Sequence, residues 1–253
     1  MANDELMYHI QMKKGDVGRY VFLPGDPGRC EKIASYFDDP ELIAYNREYK
    51  TYTGTLLGEK VSVTSTGIGC PSAAIAVEEL IKIGADTFVR VGTSGGMQPH
   101  LRAGDLGIVT GAIRDEGTTL HYMPVEFPAV ADLDVVLSLR EASEKLGNRY
   151  ALGISQSKDS FFGQHEPERM PVDQRLFERW KAWVQGGTIC SEMEAATIFI
   201  LSSIYRKRAG GIMLIGWNQE GENPDEHVSD LDPLISTAIE GVKLLIEKDR
   251  AEA

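Results

Sequence analysis

The spacing of hydrophobic and polar positions changes several times along the chain and predicts strands that alternate with helices. Apolar, β-branched runs predict strands at residues 20–25, 42–45, 49–56, 61–66, 88–91, 105–113, 150–155 and 209–217, and a short one begins at residue 188. Helical spacing starts at residue 30 and recurs over residues 73–81, 133–146, 173–184, 195–201 and 233–249. Alternation of this kind is typical of an α/β fold. No repeat or composition break divides the sequence, so we expect one domain over residues 1–253.

A single arginine interrupts the apolar run at residues 88–91. Arg90 lies between Val89 and Val91, so it points to the opposite face of the strand and requires a counter-charge. Residues 92–96, Gly-Thr-Ser-Gly-Gly, predict a turn whose amides and hydroxyls could join Arg90 in holding an anion. A structural ion pair between Arg90 and a carboxylate is the alternative.

A second glycine-rich segment, Pro-Gly-Asp-Pro-Gly-Arg at residues 24–29, separates the first strand from a helical pattern. Gly25 lets the backbone approach a ligand closely, and Arg29 adds positive charge near a helix N-terminus. A plain strand-to-helix turn with a solvated arginine explains the same residues.

The proline-bounded stretch at residues 158–171 is long for a loop inside a compact domain. It combines Phe161 with donors from Lys158, Gln164 and His165. A planar heterocycle needs such a set, with one face to stack on and hydrogen bonds along one edge. A surface lid without a ligand role is the alternative.

Two acids, Glu192 and Glu194, precede the strongly apolar helix predicted at residues 195–201. Acids at a helix N-terminus are favoured by the helix dipole, and one of the two is expected to cap the helix. In an extended segment both carboxylates would instead face one cleft, with Met193 turned away, and could hold the vicinal diol of a ribose.

Composition limits the classes of function. A net charge of −12 over 253 residues argues against a nucleic-acid or membrane-surface partner, because both require a basic face. The three cysteines are far apart, which suits a reducing compartment and gives no zinc-binding spacing. With no signal-peptide pattern or membrane-length apolar run, we expect a soluble, cytoplasmic protein.

Several motifs occur together in a fixed order. They are Pro-Gly-Asp-Pro-x-Arg at residues 24–29, Arg-x-Gly-Thr-x-Gly at 90–95 and Glu-Met-Glu at 192–194, with further matches at 65–72, 98–100 and 126–132. In this combination the chain resembles the nucleoside phosphorylase family, and within it the members that cleave uridine. The resemblance implies a single-domain α/β/α sandwich around a central mixed, partly barrel-like β-sheet.

The resemblance also implies roles for individual residues. Phosphate would be held by Gly25, Arg29, Arg90 and Thr93, with Arg47 from a neighbouring subunit. Ribose would be held by Glu192, Met193 and Glu194, with His9 from that neighbour, and Tyr8 and Phe161 would flank ribose and base. The base would contact Gln164, His165 and Lys158. Arg90, Glu194, Gln164 and His165 would be the catalytic residues.

Sites of this kind are shared between subunits, so the resemblance implies a homo-oligomer built from dimers, with a hexamer as the expected assembly. Inorganic phosphate is a co-substrate, and no organic cofactor or transition metal is expected. Glu48, Ile68 and Ser72 match positions that hold a monovalent cation such as K+ in some relatives.

The chain departs from the family pattern at two places. Pyrimidine-specific relatives often carry Gly-Gln-x-Arg, whereas here Gln164 is followed by His165 and Glu166. Lys158, His165 and Arg169 are the candidates to replace the absent arginine, with Arg169 third in order. Purine-cleaving relatives place an aspartate at the end of the last strand, where this chain has Asn218.

The expected reaction is therefore phosphorolysis of uridine, or of deoxyuridine, to uracil and the sugar 1-phosphate in pyrimidine salvage. A purine nucleoside phosphorylase and a water-using nucleosidase of the same fold are the alternative enzymes. A nucleoside-binding protein without catalysis is the alternative from another class, although it would be expected to lose Glu194 or the arginines.

Overall fold

The computed structural model describes residues 5–252. Its strands are β1 (Tyr20–Leu23), β2 (Asp38–Asn46), β3 (Tyr49–Leu56), β4 (Glu59–Thr64), β5 (Thr87–Gly96), β6 (Leu106–Asp115), β7 (Ala129–Val130), β8 (Tyr150–Lys158), β9 (Cys190–Glu192) and β10 (Arg208–Asn218). Its α-helices are α1 (Gly28–Ala34), α2 (Cys70–Lys82), α3 (Leu133–Leu146), α4 (Phe161–His165), α5 (Asp173–Gln185), α6 (Ala195–Ile204) and α7 (Asp232–Glu252). Short 3-10 helices cover Thr118–His121 and Pro167–Arg169.

All ten strands belong to one mixed sheet, part of which closes on itself. Strand β5 pairs with β10, β10 with β6, β6 with β8, β8 with β9, and β9 returns to β5. Beyond this ring, β1 lies parallel to β5 and β4, and β4, β3 and β2 form an antiparallel meander. The partly barrel-like mixed sheet is therefore confirmed.

Helices cover both faces of the sheet and bury two hydrophobic clusters. Helices α2 and α6 contribute to one cluster, and α1, α3 and α7 contribute to the other. Within β5, Phe88 belongs to the first cluster while Val89 and Val91 belong to the second. The α/β/α sandwich is thus confirmed, and Arg90 points from β5 toward the α6 side, away from the two valines.

The turn predicted at residues 92–96 is wrong, because β5 continues to Gly96. Gly96 pairs with Asn218 of β10 on one side and with Cys190 of β9 on the other. A Cβ atom at Gly96 would lie 2.7 Å from the Asn218 Cγ atom, so a larger residue here would collide with the buried Asn218 side chain. These glycines serve the closed sheet, so the anion-binding groups must come from side chains and from the segment around Gly25.

The proline-bounded stretch is partly helical and contains α4 and the second 3-10 helix. Helix α5 follows it and has no fully buried residue. Helix α4, the second 3-10 helix and α5 together cover the ends of strands β8 and β9. A cavity lies between these helices and the strands. Over residues 5–252, none of the helices is both long and apolar enough to cross a bilayer.

Candidate active site

A buried ion pair connects strand β5 to the residue that precedes helix α6. The Arg90 guanidinium donates from Nη2 to Glu194 Oε2 over 2.5 Å, and both residues are buried. Arg90 also donates to the Leu23 carbonyl at 3.2 Å, and Glu194 accepts from the Gly69 amide at 2.7 Å. The ion-pair alternative from the sequence therefore holds for Arg90, and its partner is an acid of the Glu-Met-Glu segment.

A second arginine lies beside this pair. Arg29 Nη2 donates to Thr93 Oγ1 at 3.2 Å. Burial lowers the pKa of Arg29, and the nearby positive charge of Arg90 lowers it further. A Cβ atom on Gly25 would stand 3.4 Å from Arg90 Nη1, so the backbone there runs directly against the guanidinium.

The four residues Gly25, Arg29, Arg90 and Thr93 therefore form one cluster, the arginine cluster. Arg90 is paired with the buried Glu194, whereas Arg29 forms no ion pair within residues 5–252, although the charges of Asp26 and Glu194 act on it. Arg90 Nε is buried and has no hydrogen-bond partner within residues 5–252. An oxyanion with several acceptor oxygens suits this combination of charge and free donors.

Three further residues from the predicted set lie outside the arginine cluster. Arg47 is exposed at the turn between β2 and β3, with a left-handed φ of 56°. His9 Nδ1 lies 2.7 Å from Glu79, and the ring of exposed Tyr8 packs edge-on against His9 at 4.8 Å. Arg47, His9 and Tyr8 form no hydrogen bond to the cluster in the described chain, and their contribution from a neighbour stays a prediction.

The two acids flanking Met193 have different hydrogen-bond partners, and their joint contact with a ribose stays a prediction. Glu192 accepts from the amides of Glu194 and Ala195 at 2.8 Å each, and from the Ser157 hydroxyl. It therefore caps α6, as the sequence predicted for one acid. Burial raises the pKa of Glu192, and the neighbouring Glu194 carboxylate raises it further. Met193 is half-buried, and its carbonyl accepts from the Cys70 thiol at 3.2 Å.

A cavity of about 420 Å³ lies between the ends of β6 and β8 and the α4–α5 segment. Lys158, Gln164 and His165, three of the predicted base-binding residues, line it together with Gln156 and Trp183. Gln164 Nε2, His165 Nε2 and Trp183 Nε1 are buried and have no hydrogen-bond partner in the part of the chain described. Unpartnered polar atoms among the residues that line a cavity indicate a polar ligand.

His165 is neutral in this environment. Its ring packs 4.3 Å from the Phe161 ring and 5.3 Å from the Trp217 ring, measured between centroids. Burial lowers the pKa of His165 to about 4, and the nearby Lys158 ammonium contributes to the shift. His165 therefore offers the cavity an uncharged imidazole at neutral pH.

Lys158 and Arg169, the two cationic candidates to replace the absent arginine, differ in burial and in position. Lys158 is buried and donates to Ser191 Oγ at 2.7 Å, and burial lowers its pKa while the charges of Glu192 and Glu194 oppose that shift. The Arg169 side chain is 66 % exposed and is paired with Glu166. Lys158 thus lies at the cavity, and Arg169 does not line it.

Two of the predicted cation-binding residues are in contact. Ser72 Oγ donates to Glu48 Oε1 at 2.7 Å, and Ile68, four positions before Ser72, is 78 % exposed. The hydrogen bond to Ser72 lowers the pKa of Glu48, so this carboxylate carries its charge.

Asn218 has a structural role. Its Nδ2 donates to the carbonyls of Gln98 and Leu101, each at 2.8 Å, and its Oδ1 accepts from the Glu220 amide at 3.1 Å. All of these partners are main-chain groups. The side chain is 2 % exposed and has no free donor to offer a base.

Sequence reasoning missed four residues that contact the cavity or its lining: Asp115, Gln156, Arg179 and Ser191. Gln156 and Ser191 are polar yet buried on strands β8 and β9, which is a detectable signal because buried polar groups require partners. Asp115 and Arg179 gave no local signal, since their pairing joins distant segments.

Comparison with known proteins is decisive for the family. The model of the phosphorylase superfamily matches residues 19–243. The chain belongs to the phosphorylase superfamily. It is 54 % identical over 245 residues to a uridine phosphorylase from Treponema pallidum, covering 96 % of this chain and 95 % of that protein.

Other members of the superfamily are similar over comparable lengths. A uridine phosphorylase from Thermococcus kodakarensis is 46 % identical over 250 residues, covering 98 % of this chain and 90 % of that protein. A guanosine phosphorylase from Halorubrum lacusprofundi is 39 % identical over 227 residues, covering 88 % and 90 % respectively. The arginine cluster and the cavity therefore lie in a phosphorylase.

Proposed function

We propose that this phosphorylase cleaves uridine, and deoxyuridine, with inorganic phosphate to give uracil and the corresponding sugar 1-phosphate. The observation that carries the proposal is the arginine cluster, joined through the 191–194 segment to a cavity that carries free amide and imidazole groups. Similarity to uridine phosphorylases over nearly the whole chain supports the choice of nucleoside.

Arg29, Arg90 and Thr93 would position phosphate beneath C1′ of the ribose. Departure of the base leaves a sugar with oxocarbenium character, which the dianion stabilises before it bonds to C1′. The protein need supply no side-chain nucleophile. Glu194, already fixed by Arg90 and Gly69, would orient the sugar hydroxyls beside Met193, with Glu192 holding the α6 terminus behind them.

The leaving uracil takes the electron pair of the glycosidic bond, so its ring and oxygens become negative. Gln164 would donate to one of these oxygens, while the buried Lys158 ammonium supplies positive charge nearby. Lys158 thereby takes the place of the absent arginine. His165, neutral and held between Phe161 and Trp217, would shape the pocket and hydrogen-bond to the base.

A purine nucleoside is the second candidate, because one relative is named guanosine phosphorylase. Purine cleavage benefits from an acid that protonates the leaving ring. Asn218 is not an acid, and its amide is fully used by main-chain partners. A water-using nucleosidase has no need for two arginines placed side by side, so we rank it below both phosphorylases.

We also propose how the enzyme assembles and where in the cell it works. Arg47 and His9 would complete the site of a neighbouring subunit, so the active unit would be a dimer within a larger assembly such as a hexamer. A monovalent cation held by Glu48, Ile68 and Ser72 between subunits would stabilise that contact. We expect the enzyme to work in the cytoplasm in pyrimidine salvage.

The direct test measures base release from uridine and from inosine, each with and without phosphate. Phosphate-dependent uracil release with inosine unreacted is the expected result. Release without phosphate would identify a nucleosidase, whereas inosine cleavage would contradict the assignment of the base site.

A further inference from the structure

The two residues proposed to reach a neighbouring subunit, His9 and Arg47, lie on segments that are bonded to each other. Asn46, the last residue of β2, donates from Nδ2 to the main-chain carbonyl of His9 at 2.6 Å. Arg47 follows Asn46 directly and is exposed, and the His9 side chain is 31 % exposed. One hydrogen bond therefore joins the segment that carries His9 to the turn that carries Arg47.

Glu79 on helix α2 holds the segment around His9 from inside the fold. Its carboxylate is buried and accepts from the main-chain amides of His9 at 3.0 Å and of Ile10 at 2.9 Å. Its Oε1 atom also lies 2.7 Å from Nδ1 of the His9 ring. Ile10 is fully buried in the hydrophobic cluster to which α2 contributes. A single acid thus fixes both the main chain and the ring of His9.

Glu79 also decides which nitrogen of the His9 ring carries a hydrogen. The carboxylate has no hydrogen to give, so Nδ1 is the donor in this contact. In a neutral ring Nε2 is then an acceptor, and it has no hydrogen-bond partner within residues 5–252. A sugar hydroxyl has a hydrogen to give and suits this atom.

Arg47 has a backbone conformation that residues with a side chain seldom adopt. Its φ of 56° lies in the left-handed region. The chain is fixed on both sides of it. Asn46 is bonded to His9, and the main-chain carbonyl of Glu48 accepts from Ser65 Oγ at 2.6 Å. Such a conformation persists only where the surrounding structure imposes it, and it is common at functional sites.

We propose that Glu79 and Asn46 are positioning residues that hold His9 and Arg47 ready for the site of the neighbouring subunit. Glu79 acts through the ring and main chain of His9, and Asn46 acts through the bond between the two segments. The inference rests on the proposed function, in which His9 contacts ribose and Arg47 contacts phosphate. Because both groups are ordered before the substrates arrive, less conformational freedom is lost on binding.

The first test compares Glu79→Gln with Glu78→Gln. Glutamine keeps the size of the side chain at position 79 but sets an NH2 group against one of its donors, so the His9 ring is released or changes tautomer. Glu79→Gln is expected to raise the KM for uridine about tenfold. Glu78 is the matched control, because it precedes Glu79 on α2 and instead accepts from the Tyr205 hydroxyl. Glu78→Gln should leave the KM for uridine as in the wild type.

The variant His9→Ala separates positioning from a general role in the fold. If Glu79 acts through His9, Glu79→Gln should change the KM for uridine less than about twofold once His9 is alanine. The same tenfold loss with and without His9 would overturn the role of Glu79.

Asn46→Ala is a second, independent variant, because it removes the link between the segments and leaves Glu79 in place. It therefore tests the proposal even where Glu79→Gln does not fold. We expect the KM for phosphate to rise roughly fivefold, with no further rise in an Arg47→Ala protein. Asn148 is the control, since it is also half-buried and its side chain donates to Thr237. Equal phosphate KM values in Asn46→Ala and Asn148→Ala would overturn the role of Asn46.

The wild type is first given uridine and inosine, each with phosphate, to separate the two proposals. If only inosine is cleaved, the proposed function fails, and the same variants are compared with inosine because His9 and Arg47 would contact sugar and phosphate. Non-additive effects there support the positioning roles, and additive effects overturn them. A wild type that cleaves neither nucleoside would overturn both proposals.

Discussion

Arg90 and Glu194 are 104 positions apart in the sequence, yet their charged groups lie 2.5 Å apart in the core of the protein. The pair has two roles, since Arg90 belongs to the arginine cluster and Glu194 lies at the proposed ribose position. Removing one partner leaves the other charge buried and uncompensated. Stability and function are therefore coupled at this pair.

Arg90→Ala should lower the free energy of unfolding by about 3–5 kcal/mol as well as abolish phosphate-dependent turnover, because it leaves Glu194 unpaired. Urea denaturation monitored by circular dichroism measures the first effect. The double variant Arg90→Met with Glu194→Gln should recover much of the stability but none of the activity. An Arg90→Ala protein as stable as the wild type would contradict a buried pair.

Arg29→Ala should behave differently, because among the described residues 5–252 Arg29 forms no ion pair, and it lies near the positive charge of Arg90. We expect the KM for phosphate to rise on the order of 10–100-fold through loss of a charge-assisted hydrogen bond. Without phosphate, the melting temperature should change little, since the desolvation of Arg29 and its repulsion from Arg90 oppose its attraction to Asp26 and Glu194. Thermal scans with and without phosphate measure both effects.

Lys32 on the same helix gives the control for Arg29. It is an exposed residue paired with Asp232, away from the cluster. Lys32→Ala should leave the phosphate KM and the stabilisation by phosphate as in the wild type. A marked loss of melting temperature in phosphate-free Arg29→Ala would show that Arg29 supports the fold and would contradict the charge argument.

His165 should make stability depend on acid pH. Its pKa falls from 6.5 to about 4 on folding, so between these values the unfolded chain binds a proton that the folded chain does not. Stability is therefore lost as the pH falls through this range, and His165 contributes no pH dependence above it.

The variant His165→Gln tests whether His165 causes a loss of folding stability as the pH falls. Melting temperatures at about pH 7 and about pH 5 should differ less in the variant than in the wild type, because the proton-linked part is removed. The wild-type profile of kcat/KM should also lack an inflection from His165 near its usual pKa. An equal acid sensitivity in both proteins would mean that His165 is solvated and charged.

Asn218→Asp should not introduce purine cleavage. A carboxylate at this position would place oxygen against the carbonyls of Gln98 and Leu101, which now accept from the Asn218 amide. Losing two buried hydrogen bonds should cost about 2–4 kcal/mol of folding free energy. Inosine phosphorolysis and urea denaturation are the two measurements, and inosine cleavage by a stable variant would show that this side chain reaches the base.

Much of the fold followed from local patterns. The apolar spacing of residues 133–146 predicted α3 with the bounds that the structure has. Val89 and Val91 predicted a strand with Arg90 on its opposite face, because side chains alternate along any strand. These features depend on neighbours within a few residues, which the sequence displays directly.

The role of residues 92–96 could not be read in this way. Five residues rich in glycine predict a turn, but here they extend β5 because β9 and β10 pair on its two sides and leave no room for a side chain at Gly96. The partners come from about a hundred positions further along the chain, as the pairing of Gly96 with Cys190 illustrates. Tertiary pairing therefore overrode the local preference.

For the site, the sequence by itself determined which groups are present: two arginines, a threonine, two acids and a loop of aromatic and amide residues. Only the tertiary structure decided their partners. It placed Glu194 on Arg90 and Glu192 on the α6 terminus, and it brought Gln164 and Lys158 each into contact with Ser191. The physical reason is that a buried charge or amide must be satisfied, and residues from distant strands supply the partner only after the sheet has closed.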